Sequence, residues 1–207
     1  MQAFTTLQGP AAALLQPNID TDVIIRIERL TSVERDALGP FALEALRLRR
    51  DGSEDPDFVL NRAPFRDAPI LLTGPNFGCG SSREGAVWAL LARGVRCVIG
   101  ESFGDIFFAN CFQNGVLALR QPRETVARIA TLAADGSPLT VDLASQRLVL
   151  PTGESIAFEV DPMRRAALLE GLDDIGQTLK QVASISAWQA QDRRDRPWAW
   201  GDTGVQP

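Results

Sequence analysis

Gly74-Pro75-Asn76-Phe77-Gly78-Cys79-Gly80-Ser81-Ser82-Arg83-Glu84 follows directly on the apolar run from Ala68 to Thr73. It leads into another apolar run, from Ala86-Val87-Trp88 to Leu91-Ala92. The first run reads as a buried strand. The second reads as a buried helix from about Glu84 to Arg93, because its apolar residues lie on nearly all sides of a helix. The quoted stretch is therefore a strand-to-helix turn. Three glycines in seven residues let its backbone approach a bound group and adopt positive φ. A turn that opens a helix presents unpaired N–H groups and the positive dipole end, so a carboxylate or phosphate is the natural guest.

Two nucleotide motifs fail against it. A dinucleotide fingerprint counted from Gly78 and Gly80 meets Arg83 where glycine or alanine belongs, and a phosphate loop would need a lysine that is absent. What remains is an anion site with two hydroxyls and one guanidinium, a set suited to a small carboxylic acid. Ser81 and Glu84 also have the spacing of a capping box, with Ser81 as N-cap and Glu84 at the third helical position. An N-cap serine would itself sit among N–H donors able to stabilise an alkoxide.

Outward from this turn, Asn18-Ile19-Asp20-Thr21-Asp22 reads as a polar turn before apolar Val23-Ile24-Ile25. Ala37 to Arg50 reads as a helix ended by Asp51-Gly52. Beyond Gly94, Val95 to Ile99 is a second buried strand. A short helix around Ile106 to Cys111, a strand Val116 to Leu119 and a helix from Pro122 to about Ala134 follow. The pattern then changes to three short antiparallel strands, at Leu139 to Leu143, Arg147 to Leu150 and Ser155 to Val160. Helices from Pro162 to Glu170 and from Asp173-Asp174 to about Gln191 close the pattern. The fold class is α/β: a β/α core, a small antiparallel meander and C-terminal helices. One domain over residues 1–190 and a flexible or partner-bound tail over 191–207 are expected.

Hydrophobic residues make up 45% of the 207 residues and charged residues 23%, as in soluble globular proteins. With 21 Lys+Arg against 26 Asp+Glu, the net charge of −5 predicts neither nucleic acid nor an anionic membrane as partner. No run approaches the ~20 apolar residues of a membrane helix. Three cysteines, Cys79, Cys97 and Cys111, do not read as a disulfide scaffold, so a cytoplasmic location is expected. Their spacing contains no C-x-x-C pair, and no metal site is expected on this chain. There is no histidine, so any imidazole must come from another chain.

The loop Pro75–Glu84 resembles the signature of the aconitase swivelling-domain family, and within it the isopropylmalate dehydratase small subunits. Three further blocks share the likeness in order: Asn18–Asp22 with Ile24-Ile25, Ser102–Phe107 with Asn110 and Asn114-Gly115, and Gly171–Gly176 with Thr178-Leu179. The resemblance implies an aconitase-swivel-like β/β/α core. It implies dehydration of a hydroxy diacid and rehydration at the adjacent carbon, with leucine biosynthesis as the setting. A [4Fe-4S] cluster would belong to a large partner subunit, and none to this chain.

On that resemblance, Ser81 is the base and Arg83 holds a substrate carboxylate. Gly80, Ser82, Asp22 and Cys79 would line the substrate. A serine anion needs oriented donors and a nearby cation, which the loop and Arg83 would supply. The family usually has histidine where Gly85 stands, so the packing there must differ. The segment after the N-terminal block selects the substrate side chain in relatives. Here Arg26, Ile27 and Leu30 are mixed, which leaves open another alkylmalate, such as citramalate or dimethylmalate. A carboxylate-binding module without catalysis, keeping the glycine loop but needing no Ser81 anion, is the reading from a different class.

Overall fold

The computed structural model describes residues 1–201. Two four-stranded sheets organise it. The first is parallel: β2 (Ala11–Leu14), β3 (Ile70–Thr73), β4 (Cys97–Gly100) and β5 (Leu117–Arg120), in that spatial order. The second is antiparallel, with β1 (Thr6–Gly9) beside β6 (Leu139–Asp142), β7 (Arg147–Val149) and β8 (Ser155–Ala157). Pro10, which cannot donate to a ladder, is the hinge where the chain leaves one sheet for the other.

Nine helices complete the described chain: α1 (Thr21–Ile24), α2 (Ile27–Ser32), α3 (Glu44–Arg47), α4 (Gly85–Ala92), α5 (Asp105–Gln113), α6 (Arg123–Leu132), α7 (Pro162–Glu170), α8 (Asp174–Leu179) and α9 (Val182–Asp195). Every residue of β3 and β4 is buried, whereas β6 alternates buried with half-buried. That contrast is the one expected of a strand covered on both faces against a strand covered on one. α4 connects β3 to β4 and α5 connects β4 to β5, while α6 packs across β2, β3 and β4. One contiguous core joins both sheets and α4 to α7.

The mixed α/β architecture agrees with the sequence reading, and three details depart from it. The expected helix from Ala37 to Arg50 is broken into two 3-10 turns, Arg35–Ala37 and Gly39–Phe41, and the single turn α3. Leu43 adopts φ +57° and donates its N–H to Ile24 O at 2.8 Å, which turns the chain away. Arg47, on the expected helix face, is buried and bonded to Asn61, Pro40 O and Glu54. The second departure is at the N-terminus, where β1 and β2 are strands that alanine-rich composition does not announce. The third is at the C-terminus: one helix from residue 174 becomes two, and α9 runs on through 191 to Asp195. Residues 202–207 of the expected tail lie outside the described residues.

In the parallel sheet Leu14, Thr73, Gly100 and Arg120 lie in one row, so the strands end level. The loops after β2, β3 and β4 therefore emerge side by side at the carboxyl edge, the usual place for a ligand crevice in such sheets.

Candidate active site

The three loops are stitched together by their backbones. Asn18 N–H donates to Pro75 O at 3.0 Å, Gly78 N–H to Ile19 O at 2.7 Å and Thr21 N–H to Cys79 O at 2.8 Å. On the other side, Phe77 N–H donates to Ser102 O at 3.2 Å and Gly104 N–H to Phe77 O at 3.0 Å. Three blocks separated by dozens of residues thus become one surface. Phe77 is fully buried and meets Phe107 edge-on, the ring centroids 5.5 Å apart, which anchors the middle loop in the core.

Two glycines make this close approach possible. Gly78 has φ +73°, and a Cβ there would lie within 2.6 Å of Phe107 Cδ1. Gly80 has φ +109° and passes directly over Thr21, whose Oγ1 would lie 3.1 Å from an added Cβ. Both positions therefore require glycine for conformation and for space.

Past Gly80 the chain presents Ser81. The Thr21 hydroxyl donates to Ser81 Oγ at 2.9 Å and accepts the N–H of Ser81, also at 2.9 Å. Thr21 is buried and Ser81 half-buried, so this reciprocal pair is shielded on the core side and open on the other. The Thr21 oxygen is fixed by the backbone N–H of Ser81, which holds its hydroxyl against Ser81 Oγ. Sequence reasoning quoted Thr21 as part of its block but gave it no role. The signal was a threonine inside a motif, meaningful only once the loops meet.

Ser82 and Arg83 are exposed, and Arg83 Nη2 donates to Asp22 Oδ1 at 3.0 Å. Ser81, Ser82, Arg83, Gly80, Cys79 and Asp22 are thus gathered on the facing loops and the first turn of α1. With Arg83 47% and Asp22 69% exposed, this ion pair contributes little to stability, so Arg83 can exchange Asp22 for another carboxylate.

The capping reading does not hold. α4 begins at Gly85 with Glu84 in the cap position, and no side chain caps it. Ser81 lies outside the helix, and its donor is the Thr21 hydroxyl rather than a helical N–H. Glu84 turns the other way, accepting Trp88 Nε1–H at 3.1 Å and Asn114 Nδ2–H at 3.3 Å. Asn114 Oδ1 in turn accepts Arg35 at 2.7 Å, which ties α4 to the end of α5.

Of the three expected specificity residues, the structure brings one onto the loop. Leu30 of α2 lies over Gly85: a Cβ there would meet Leu30 Cδ1 at 2.5 Å. Gly85 therefore leaves the space that Leu30 fills. Arg26 instead approaches buried Glu44, 3.7 Å away, beside the two-pronged Arg29–Glu44 pair at 3.1 Å. Ile27 is exposed.

The cysteines do not converge. Cys97 and Cys111 are fully buried, and loss of water pushes both thiols well above their ordinary range, so neither supplies a thiolate. Cys79 is half-buried in the loop. Among the described residues, no three His, Cys, Asp or Glu side chains are grouped to hold a metal ion. No helix among them is long and apolar enough to cross a membrane.

Residues 1–124 match the family model described as aconitase C-terminal domain. Residues 174–202 match the model for the C-terminal domain of the 3-isopropylmalate dehydratase small subunit, and a model described as LeuD_N matches residues 129–162. The 3-isopropylmalate dehydratase small subunit of Rhodospirillum centenum is 51% identical, covering 97% of this chain and 100% of the relative. That of Gluconacetobacter diazotrophicus is 53% identical over 96% of this chain and 97% of its own. The crystal structure of 3-isopropylmalate dehydratase from Methanocaldococcus jannaschii shares the fold, with a TM-score of 0.65 at 24% identity, over 89% of this chain and 99% of that one.

Proposed function

The chain belongs to the 3-isopropylmalate dehydratase small-subunit family, and from that premise we propose how its residues share the work with a large subunit. The activity is the hydro-lyase isomerisation of 2-isopropylmalate and 3-isopropylmalate by dehydration and rehydration in leucine biosynthesis. Ser81 takes the proton from the carbon that carries hydrogen and keeps it while the hydroxyl departs from the neighbouring carbon as hydroxide, so that the held proton and the hydroxide are together the elements of one water. Returning that water with the opposite orientation moves the hydroxyl between the two carbons, and Ser81 gives its proton back.

The Thr21–Ser81 pair supports this reading best. A serine anion at neutral pH needs a donor already aimed at it, and a buried, backbone-held hydroxyl at 2.9 Å is such a donor. Arg83 adds a cation and binds one substrate carboxylate in place of Asp22. Ser82 and Gly80 complete that contact, and Cys79 borders it. Leu30 gives the site an apolar flank, while Glu44 draws Arg26 away. That charge distribution suits an isopropyl group better than a third carboxylate. The whole described chain acts as one swivelling-type unit.

The [4Fe-4S] cluster that the family implies does not fit this chain, whose two buried thiols are held protonated and whose third stands alone. We place it in the large subunit. Conversion of Ser81 to alanine tests the proposal. Mixed with a cognate large subunit and followed by the absorbance of the unsaturated diacid, Ser81→Ala is expected to lose about 10³-fold in kcat with assembly intact. Full turnover by that variant would overturn the assignment.

A further inference from the structure

We propose that Glu84 is a positioning residue for Arg83: its carboxylate, tied to Trp88 and Asn114, sets the direction in which the Arg83 guanidinium meets a substrate carboxylate. This rests on the reading above that Arg83 binds that carboxylate.

Between Ser81 and α4 the loop is held at two points with little in between. The first is Thr21, whose hydroxyl accepts Ser81 N–H at 2.9 Å. The second is Glu84, whose carbonyl accepts the N–H of Val87 at 2.9 Å and of Trp88 at 3.1 Å. Ser82 and Arg83, between these points, are exposed. The pairing of Arg83 with Asp22 joins two exposed side chains, which is too weak to fix a backbone. No side chain caps α4, so local capping does not hold this end either. The course of the two suspended residues is therefore decided by where their ends are fixed.

Glu84 is fixed from outside the loop. Its Oε2 accepts Trp88 Nε1–H at 3.1 Å and Asn114 Nδ2–H at 3.3 Å. Bonds to a charged acceptor are the stronger class, and here both donors are themselves held. Asn114 is buried, its amide also donates to Asn110 O at 2.9 Å, and its Oδ1 accepts Arg35 at 2.7 Å and Trp88 Nε1–H at 3.1 Å. The Arg35 guanidinium lies 4.9 Å over the Trp88 ring, so the indole is held on its face as well as at its N–H. Four side chains from three distant segments thus make one closed network, with Glu84 as its only member on the signature loop. The two holding points serve different groups. Thr21 contacts the oxygen that takes the proton, whereas Glu84 adjoins the residue that holds the carboxylate.

That division gives the test. Enzyme is reassembled from the wild-type large subunit and full-length variants of this chain, and kcat and KM are measured across pH. Glu84→Ala is expected to raise KM about tenfold, to lower kcat by less than about threefold and to leave the acidic limb of the pH profile in place. Glu84→Gln can set its carbonyl oxygen where Oε2 stands and keep both bonds, so its KM is expected within about twofold of wild type. Trp88→Phe keeps the ring and removes one donor. It is expected to raise KM about threefold, and it carries the test should Glu84→Ala fold poorly. In an Arg83→Ala background, Glu84→Ala is expected to add nothing further to KM. Unchanged KM in Glu84→Ala and Trp88→Phe overturns the proposal. So does an equal rise in KM without Arg83, or a glutamine variant as impaired as the alanine one. Full turnover by Ser81→Ala would remove the base assignment and leave the coupling between Glu84 and Arg83 intact, so the two readings fail separately.

Discussion

The glycine-rich loop and the C-terminal arm are built on opposite principles. Between Gly74 and Glu84, Phe77 is buried, Gly78 has no room for a methyl group, and the backbone is bonded to the loops on either side. Between Asp174 and Asp195 nothing is buried, and large apolar side chains face outward. A group that must hold a proton at a fixed point needs a scaffold without slack. Large apolar side chains gathered in water are uncommon on a folded chain, and the arm carries several.

Substitutions can break this contrast. The largest effect is expected from Gly78→Ala, which combines a positive φ with a collision against Phe107. Thermal unfolding should register a loss of about 3 kcal/mol, and turnover should be lost with it. Next is Thr21→Val, which keeps the shape and removes the donor to Ser81. A fall in kcat of about 10- to 100-fold is expected, with the stability change smaller in proportion. With the anion less well stabilised, the acidic limb of the pH profile, where Ser81 must lose its proton to act as base, moves to higher pH. Thr21→Ser should restore both. An unchanged profile for Thr21→Val would make the contact structural only.

Gly85→Ala sharpens the comparison from the rim of the site. The collision there is with the flexible end of Leu30, so about 1 kcal/mol of stability is at stake, and KM is expected to change more than kcat as Leu30 turns. The smallest effect belongs to the arm. Trp188→Ser should change the unfolding free energy of the isolated chain by less than about 0.5 kcal/mol, and a loss of about 2 kcal/mol would show that the arm packs on its own chain after all.

Much of the core was legible beforehand for a physical reason. Ile70–Thr73, Cys97–Gly100 and Leu117–Arg120 are short apolar runs between turn signals, and burial on both faces leaves no other use for them. α7 was equally plain, from Pro162 at its first turn to Gly171 in the left-handed conformation beyond its end. The region from Ala37 to Arg50 misled because helix-favouring residues were overruled by long-range partners. Arg47 reaches Asn61, and Leu43 reaches Ile24. The apparent capping box failed likewise, since Glu84 found Trp88 and Asn114, whereas Ser81 found Thr21.

What the amino-acid order settled alone was the class of fold and the glycine-rich turn at a strand end, and it put Ser81, Arg83 and Asp22 forward as candidates. Local periodicity and backbone freedom are properties of neighbouring residues, and a reader of the chain has those in hand. What folding alone decided was that Thr21 faces Ser81, that Leu30 occupies the space beside Gly85, and that Ile175, Leu179, Val182 and Trp188 lie exposed. Each depends on residues far apart in the chain being brought together or kept apart. Only the level ends of four parallel strands and the packing around them determine such distances.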